Sequence, residues 1–560
     1  MDERSRLNAY HFYEQEWDSY DQLCESFEWE VPERFNAAEY VCDRWSSDKS
    51  RVALFGLDHE GNERTYTFWQ LRNVTNRLAN YLREQGVERG DRVGVNAPQK
   101  PETVMAHVAI WKLGAVSVPL STLFGTEAVR YRLDDADAKA CIVDASNAGA
   151  LRAVRDDVDS LEEVLVVDGT ATGEEVGFWD AIDASSRRLD PVDTAEDDDA
   201  IIIYTSGTTG DPKGVRHAHR VLLGNLPMFV TTVCNMEMSP GDVFWTPSEW
   251  AWVATLYDVV FPGLFFGKPV VAYENEAGFD PETAFDVIER YGVTNYFAPP
   301  TALRMMMQVD RTAAGDVGDV RAVSSGGESL GESIVEWAAD TFDGAVVHEG
   351  YGQTEANMIV GDCTALTESR EGKIGPAAPG HEVAIVDPET AEPTVDPGEV
   401  GEIAVRYEGD PICFKEYWNK PDKTAEKVQN GWLLTEDLGA MDADGYLSFH
   451  SRKDNVIISA GYRIGPVEIE EALATHDAVA DAGVVGIPDD ERGEVPKAFV
   501  VLAAGHEASD DLKRQLAQHV RDRLAKYEYP REIEFIDVLP TTSTGKVRRV
   551  DLEQREEQSE

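Results

Sequence analysis

From about residue 40 to 450 the chain alternates helix-period segments with short apolar runs rich in β-branched residues, among them Val93-Gly94-Val95, Ala140-Cys141-Ile142-Val143, Ile201-Ile202-Ile203-Tyr204 and Val270-Val271-Ala272-Tyr273. Runs that are apolar at every position, rather than at every second one, belong to strands covered on both faces, so the pattern predicts α/β layers. Ligands in such layers sit in loops at the carboxyl ends of strands, which directs the search for chemistry to the segments after these runs. A helix is expected from about Arg216, and the acidic stretch Asp193 to Asp199 is expected to be a solvated loop leading into the strand at Ile201.

Past Arg452-Lys453-Asp454-Asn455 the texture becomes a compact α+β pattern: helix Val467 to Ala474, strands Ala482 to Gly486 and Ala498 to Leu502, helix Asp510 to Leu524, strand Glu534 to Phe535. The 107 residues after Lys453 are enough to fold alone. The expected division is therefore a large, multi-subdomain α/β region, 1–453, and a small α+β domain, 454–560. A length of 560 residues suits about three or four folding units.

A hydrophobic content of 42% with 28% charged residues is that of a folded chain, because disordered chains lack the apolar surface that offsets chain entropy. The charge is the outlier. The formal net charge is −53, spread along the whole chain, and only 16 of the 51 basic residues are lysine. Such a surface repels nucleic acid and anionic membranes, and it suits a salt-rich cytoplasm, where a Debye length of about 3 Å at 1 M salt screens self-repulsion. The six cysteines are widely spaced with no CxxC, so neither a zinc site nor a disulfide framework is encoded, and a reducing cytoplasm is expected. The most apolar stretch, Ala251 to Tyr273, is broken by Asp258, Pro262, Lys268 and Pro269, which excludes a membrane span.

The strongest chemical signal is Tyr204-Thr205-Ser206-Gly207-Thr208-Thr209-Gly210-Asp211-Pro212-Lys213-Gly214, directly after a buried strand. Three glycines and four aliphatic hydroxyls let backbone N–H groups and side-chain donors wrap a polyphosphate, and Lys213 adds a point charge. The spacing is not that of a Walker A loop, which disfavours a P-loop NTPase.

This loop resembles the TSGTTGxPKG hallmark of the adenylate-forming superfamily, which contains acyl-CoA synthetases, adenylation domains and firefly-type luciferases. Further matches follow in the family's order: Gly326-Gly327-Glu328, Glu349-Gly350-Tyr351-Gly352-Gln353-Thr354-Glu355, Asp437, Arg452-Lys453-Asp454, Ser459-Ala460-Gly461-Tyr462-Arg463 and Thr544-Gly545-Lys546. The resemblance implies that Thr205 to Thr209 and Lys213 hold the phosphates of ATP. Gly326, Gly327 and Glu328, with Glu349, Gly350 and Tyr351, would form the adenine pocket, the Tyr351 ring stacking on the base. Thr354 would bind the α-phosphate and Glu355 would hold Mg2+. Asp437 and Arg452 would contact the ribose, Gly461 and Arg463 would face the coenzyme A path, and Asp454 would be the hinge. Lys546 would be the catalytic charge on the α-phosphate. One departure is visible: the family commonly has Thr-Gly-Asp where this chain reads Thr435-Glu436-Asp437.

The reaction implied is ATP-dependent conversion of a carboxylic acid to acyl-AMP and then acyl-CoA, releasing AMP and pyrophosphate. Trp252 and Val253 would wall the acyl pocket. Gly352 and Gly326 stand where acetate-activating relatives carry larger residues, so a short- to medium-chain or branched acid is expected. Adenylation for a separate carrier protein, a luciferase-type oxidoreductase and a non-catalytic nucleotide binder remain alternatives. Gly326-Gly327-Glu328-Ser329-Leu330 also resembles the phosphopantetheine site of carrier proteins, but it follows an apolar run inside the α/β region rather than lying in a small helical bundle.

Overall fold

The computed structural model describes residues 6–205, 212–274, 278–309, 315–328, 330–394, 396–453, 455–459, 462–489, 492–524, 529–541 and 546–557. Four sheets organise them. Two have eight strands each, and their mostly parallel centres carry the apolar runs: Arg92–Asn96, Ala138–Asp144 and Asp199–Thr205 in one, Val270–Tyr273, Asn295–Phe297 and Ala322–Gly326 in the other. Between them lies the helix Pro101–Lys112, every residue of which is buried. A helix apolar all round its circumference has no face to give to solvent. Its few polar groups are neutralised locally: Lys112 meets Asp43 at 2.6 Å, Glu102 meets Arg64 at 3.0 Å, and burial pushes His107 down to about 3, keeping it uncharged.

At the start of that helix the buried Lys100 joins the two sheets, pairing with Asp144 at 2.6 Å, Asp168 at 3.0 Å and Glu274 at 2.8 Å. Removing one partner of such a buried pair strands the other charge, which costs more than the pair contributes.

Two sequence expectations are corrected. The segment from Arg216 is not helical: Lys213–Ala218 is a strand antiparallel to Asp199–Thr205, and the helix begins at Val221. Pairing with a buried neighbour decides the matter, with Gly214, Val215, His217 and Ala218 buried in the strand. The acidic stretch is, as expected, a solvent-facing loop leading into the strand Asp199–Thr205, and its carboxylates pair with arginines: Asp193 with Arg34, Asp198 with Arg89, Asp197 with Arg220 and Asp199 with Arg216. The α/β alternation also ends before residue 450. Val383–Val386, Val400–Arg406, Trp432–Met441 and Leu447–Arg452 form an antiparallel sheet of their own with Val428–Gln429.

The small domain matches its pattern closely. Val479–Asp489 and Gly493–Leu502 form a long hairpin joined by Ile457–Ser459, Tyr462–Ile464 and Glu532–Phe535. One core, including Ile469, Leu473, Leu516 and Val520, covers one part of the sheet, and a second, including Phe499, Leu539 and Leu552, covers another. Among the described residues no helix is long and apolar enough to cross a membrane.

Candidate active site

The site lies where the strands Ala322–Gly326 and Val346–Gln353 end together. The two run parallel, with Ser325 beside Glu349 and Gly326 beside Gly350. A side chain begun at Gly326 would lie 2.7 Å from the Gly350 carbonyl oxygen, so this floor must be bare backbone. Glu349 accepts a hydrogen bond from the Leu330 amide at 3.2 Å, and burial pushes its carboxyl up to about 8.

Tyr351 leaves this floor and donates its hydroxyl to Asp437 Oδ2 at 2.8 Å. Asp437 stands opposite Arg452 in the antiparallel pair Trp432–Met441 and Leu447–Arg452, with Nη1 3.5 Å from Oδ1. Burial raises the Asp437 carboxyl above its ordinary value, and Arg452 and the Tyr351 hydroxyl pull it back. The aromatic ring expected to stack on a base is thus tied to the carboxylate expected to hold a ribose.

At the Thr-Glu-Asp departure the backbone of Glu436 takes a conformation that favours glycine. Glu436 has φ 63°, the left-handed conformation a glycine adopts freely, at a cost of about 1 kcal/mol for a residue with a side chain. Its amide donates to Glu402 at 2.9 Å, and its carboxylate lies 3.2 Å from the buried Lys427 and 3.5 Å from Arg452.

Below the phosphate loop, Thr205 and Lys213 face each other as the last and first residues of the paired strands. Ser206, Gly207, Thr208 and Thr209 between them lie outside the described residues, as do Asp454 and Gly461; Arg463 is placed by its backbone in the strand Tyr462–Ile464. A two-residue strand, Glu416–Tyr417, pairs with Lys213–Ala218 and sets Tyr417 opposite Val215. The Tyr417 ring is 4.6 Å from Lys213 Nζ, and its hydroxyl donates to Glu355 Oε1 at 2.5 Å. Burial and the Glu355 charge both raise the Tyr417 pKa, so the phenol keeps its proton. His217, on the same strand, is driven to about 4 by burial; it is neutral and donates through Nε2 to the Thr354 carbonyl at 2.7 Å, since a carbonyl can only accept. Sequence reasoning missed Tyr417 and His217. Both are placed by the edge pairing of Lys213–Ala218, which left no periodicity to read.

Glu355 is 6% exposed, and no cluster of three or more His, Cys, Asp or Glu side chains among the described residues could hold a metal. A single buried carboxylate suits a Mg2+ that arrives on nucleotide phosphates, because that ion takes one or two carboxylates and keeps its other positions for phosphate and water.

Lys546 comes to this cleft from the small domain. A side chain begun at Gly327 would come within 3.5 Å of its Cε and 3.8 Å of its Nζ. Partial desolvation against that floor lowers its pKa, while Glu328 and Asp437 support the ammonium, and the residue keeps an exposed surface at the mouth of the cleft.

Trp252 meets Phe124 edge to face at 6.2 Å, and the turn Val253–Thr255 packs against the strand Asn357–Gly361. The open-volume reading of Gly352 is corrected. A side chain begun at Gly352 would fall 1.6 Å from the Asn357 carbonyl oxygen, inside the hairpin that joins Val346–Gln353 to Asn357–Gly361. Gly326 is likewise closed by the Gly350 carbonyl. Neither glycine leaves pocket volume behind it. Each is demanded by close backbone approach.

Comparison with known proteins agrees with this geometry. The family described as "AMP-binding enzyme" matches residues 42–418, and the family described as "AMP-binding enzyme C-terminal domain" matches residues 468–546. A mitochondrial acyl-coenzyme A synthetase, ACSM3, of Mus musculus is 34% identical over 97% of this chain and 94% of its own. An acetyl-coenzyme A synthetase of Bacillus subtilis (strain 168) is 34% identical over 92% of this chain and 90% of its own. Among solved structures, the anthranilate CoA ligase AuaEII in complex with anthranoyl-AMP superposes with a TM-score of 0.86 at 28% identity, covering 94% of this chain and 98% of that one. The chain belongs to the family of AMP-binding enzymes. It is an ATP-dependent ligase that activates an acid to acyl-AMP and then to acyl-CoA.

Proposed function

We propose that the enzyme works in two conformations on a short- to medium-chain or branched carboxylic acid. The observation that carries this reading is the place of Lys546: a residue of the small domain reaches the floor of the large domain's cleft beside Gly327 and Glu328. In the first conformation Asp437 and Arg452 hold the ribose, Tyr351 stacks on the base, and Thr354 with the phosphate loop and Lys213 hold the phosphates. The substrate carboxylate attacks the α-phosphorus and pyrophosphate leaves. Lys546 stabilises the charge gathering on the α-phosphate oxygens, where a placed cation acts with no reorganisation. Glu355, steadied by Tyr417, would hold Mg2+, which when bound neutralises phosphate charge.

In the second conformation the small domain, 454–560, turns about Asp454, Lys546 withdraws, and the segment with Gly461 and Arg463 brings the coenzyme A thiol to the acyl carbonyl. Trp252 and Val253 wall the acyl group. The comparison with proteins named acetyl- and acyl-coenzyme A synthetases supports an acid within the proposed range and free coenzyme A as acceptor. A net charge of −53 with 16 lysines supports a salt-rich cytoplasm as the working medium.

The test is pyrophosphate release in molar KCl across acetate, propionate, butyrate, branched C4 to C6, octanoate and benzoate, with and without coenzyme A. Highest kcat/KM among the aliphatic acids, with coenzyme A consumed one for one, is expected. Preference for benzoate, or turnover that ignores coenzyme A, contradicts the reading.

A further inference from the structure

Between the strand Phe244–Trp245 and the turn Val253–Thr255 the chain belongs to no helix or strand, so the place of Trp252 is set by side chains around it. The chief of these is Glu249. Its carboxylate accepts a hydrogen bond from Ser121 Oγ at 2.5 Å on one oxygen, and from Thr122 Oγ1 at 2.8 Å and the Thr122 amide on the other. Shortly before it, the Pro247 carbonyl accepts from Gln99 Nε2 at 2.9 Å. Shortly after it, the Trp252 ring stands edge to face on Phe124, whose ring carries the Arg132 guanidinium 3.9 Å from its centre.

These partners lie in the other eight-stranded sheet. Phe244–Trp245 belongs to the sheet of Ala322–Gly326, whereas Ser121 and Thr122 follow the strand Val116–Pro119, and Gln99 follows Arg92–Asn96, in the sheet that carries the phosphate loop. Val116–Pro119 is the immediate neighbour of Asp199–Thr205, with Ser117 beside Ile201. The donor loop is itself fixed. Asn96 Nδ2 donates to the Leu120 and Ser121 carbonyls at 3.0 Å each, and the Ser121 hydroxyl, while donating to Glu249, accepts from the Leu123 amide at 3.1 Å. Ser121 is buried, so an apolar residue at position 249 would leave its hydroxyl proton without this acceptor.

We propose that Glu249 is a positioning residue for the acid: through Ser121 and Thr122 it fixes the Trp252 wall at a set distance from the phosphate loop, and so sets the length of acid that the enzyme prefers. This rests on the reading of Trp252 as a wall of the acyl pocket. The substrate carboxylate must reach the α-phosphorus, so the head of the acid is fixed by the nucleotide and the far end of its chain meets the wall. Freeing the wall changes the depth between them, and acids of different length feel that change unequally. A loss of stability alone would instead lower the rate with every acid by one factor.

The test measures kcat/KM for acetate, propionate, butyrate and octanoate, together with the KM for ATP, in Glu249→Ala, Ser121→Ala, the Glu249→Ala/Ser121→Ala pair and Trp252→Ala. Glu249→Ala is expected to change the butyrate-to-acetate ratio by about threefold or more, with the KM for ATP within about twofold of the native value. Ser121→Ala is expected to move the ratio in the same direction, and the pair to move it no further than the larger single change. Loss by one common factor across all the acids, or additive changes in the pair, overturns the positioning role. Should Glu249→Ala fail to fold, the ratio in Ser121→Ala decides alone. Trp252→Ala separates the two ideas: an unchanged ratio there overturns the acyl-wall reading, while a changed ratio beside unselective Glu249 and Ser121 variants overturns the positioning role only.

Discussion

Tyr351 donates its hydroxyl to Asp437 Oδ2 at 2.8 Å, joining the floor strand Val346–Gln353 to the antiparallel sheet that follows it. This bond makes one unit of two groups that the sequence separates by more than eighty residues. Asp437 is 6% exposed, so its carboxylate depends on Tyr351 and Arg452 for the solvation it has lost.

Tyr351→Phe keeps the ring and removes the bond. Hydrogen bonds to charged groups contribute about 1.5 to 3 kcal/mol, so KM for ATP should rise roughly tenfold or more while the acid's KM changes little. Steady-state kinetics with each substrate varied in turn checks this. An unchanged ATP KM would mean that Asp437 is held by Arg452 alone.

Tyr417→Phe releases Glu355 Oε1 without altering the ring over Lys213. The Mg2+ concentration giving half-maximal rate should rise severalfold, with the rate at saturating Mg2+ largely kept. Titrating Mg2+ at fixed ATP reads this directly, and identical titrations for both proteins would remove Tyr417 from the support of Glu355.

Gly352→Ala places a carbon where the Asn357 carbonyl oxygen already is, 1.6 Å away. The hairpin must open, at a cost of about 2 kcal/mol or more, visible as a lower Tm and a loss of activity toward every acid alike. A Gly352→Trp protein of unchanged Tm whose preference moves toward acetate would restore the open-pocket explanation.

Asp258 is buried, with Oδ1 accepting from Asn357 Nδ2 at 2.8 Å and no hydrogen-bond partner at Oδ2. Burial raises its pKa well above the ordinary carboxylate value, so the folded protein holds it protonated. The unfolded chain ionises it near pH 3.9, so folding takes up a proton above that pH. Its contribution to stability is complete below the unfolded value and is lost as pH rises toward the folded one, by up to about 1.4 kcal/mol per pH unit. The Tm of Asp258→Asn should therefore gain on that of the native protein between pH 5 and pH 8. A constant difference would show the carboxyl titrating alike in both states.

How far these relationships can be read from the sequence follows from their range. The strands at Val93, Ala140, Ile201 and Val270 announce themselves because a strand buried on both faces is apolar at every position. The hairpin Val479–Asp489 with Gly493–Leu502 is legible for a similar reason. Lys213–Ala218 is not, because its strand character comes from pairing with Asp199–Thr205 rather than from its own composition. Tyr417 reaches Glu355 across 62 positions through a strand of two residues, too short to carry any period. Gly352 was visible as a glycine, but only the direction of its missing side chain distinguishes a hairpin contact from a vacant pocket wall. Glu436 was visible as a departure from Gly, while its left-handed φ and its hold on Lys427 belong to the folded loop.

The central claim, that Lys546 serves one of two half-reactions from a domain that moves, is tested most directly by Lys546→Ala. Acyl-AMP formation, followed by pyrophosphate release, should fall by at least about a hundredfold, the scale of losing one placed charge at a reacting centre. Thioester formation from supplied acyl-AMP and coenzyme A should proceed at close to the native rate. Equal loss in both half-reactions would contradict the account, placing Lys546 in a single fixed site.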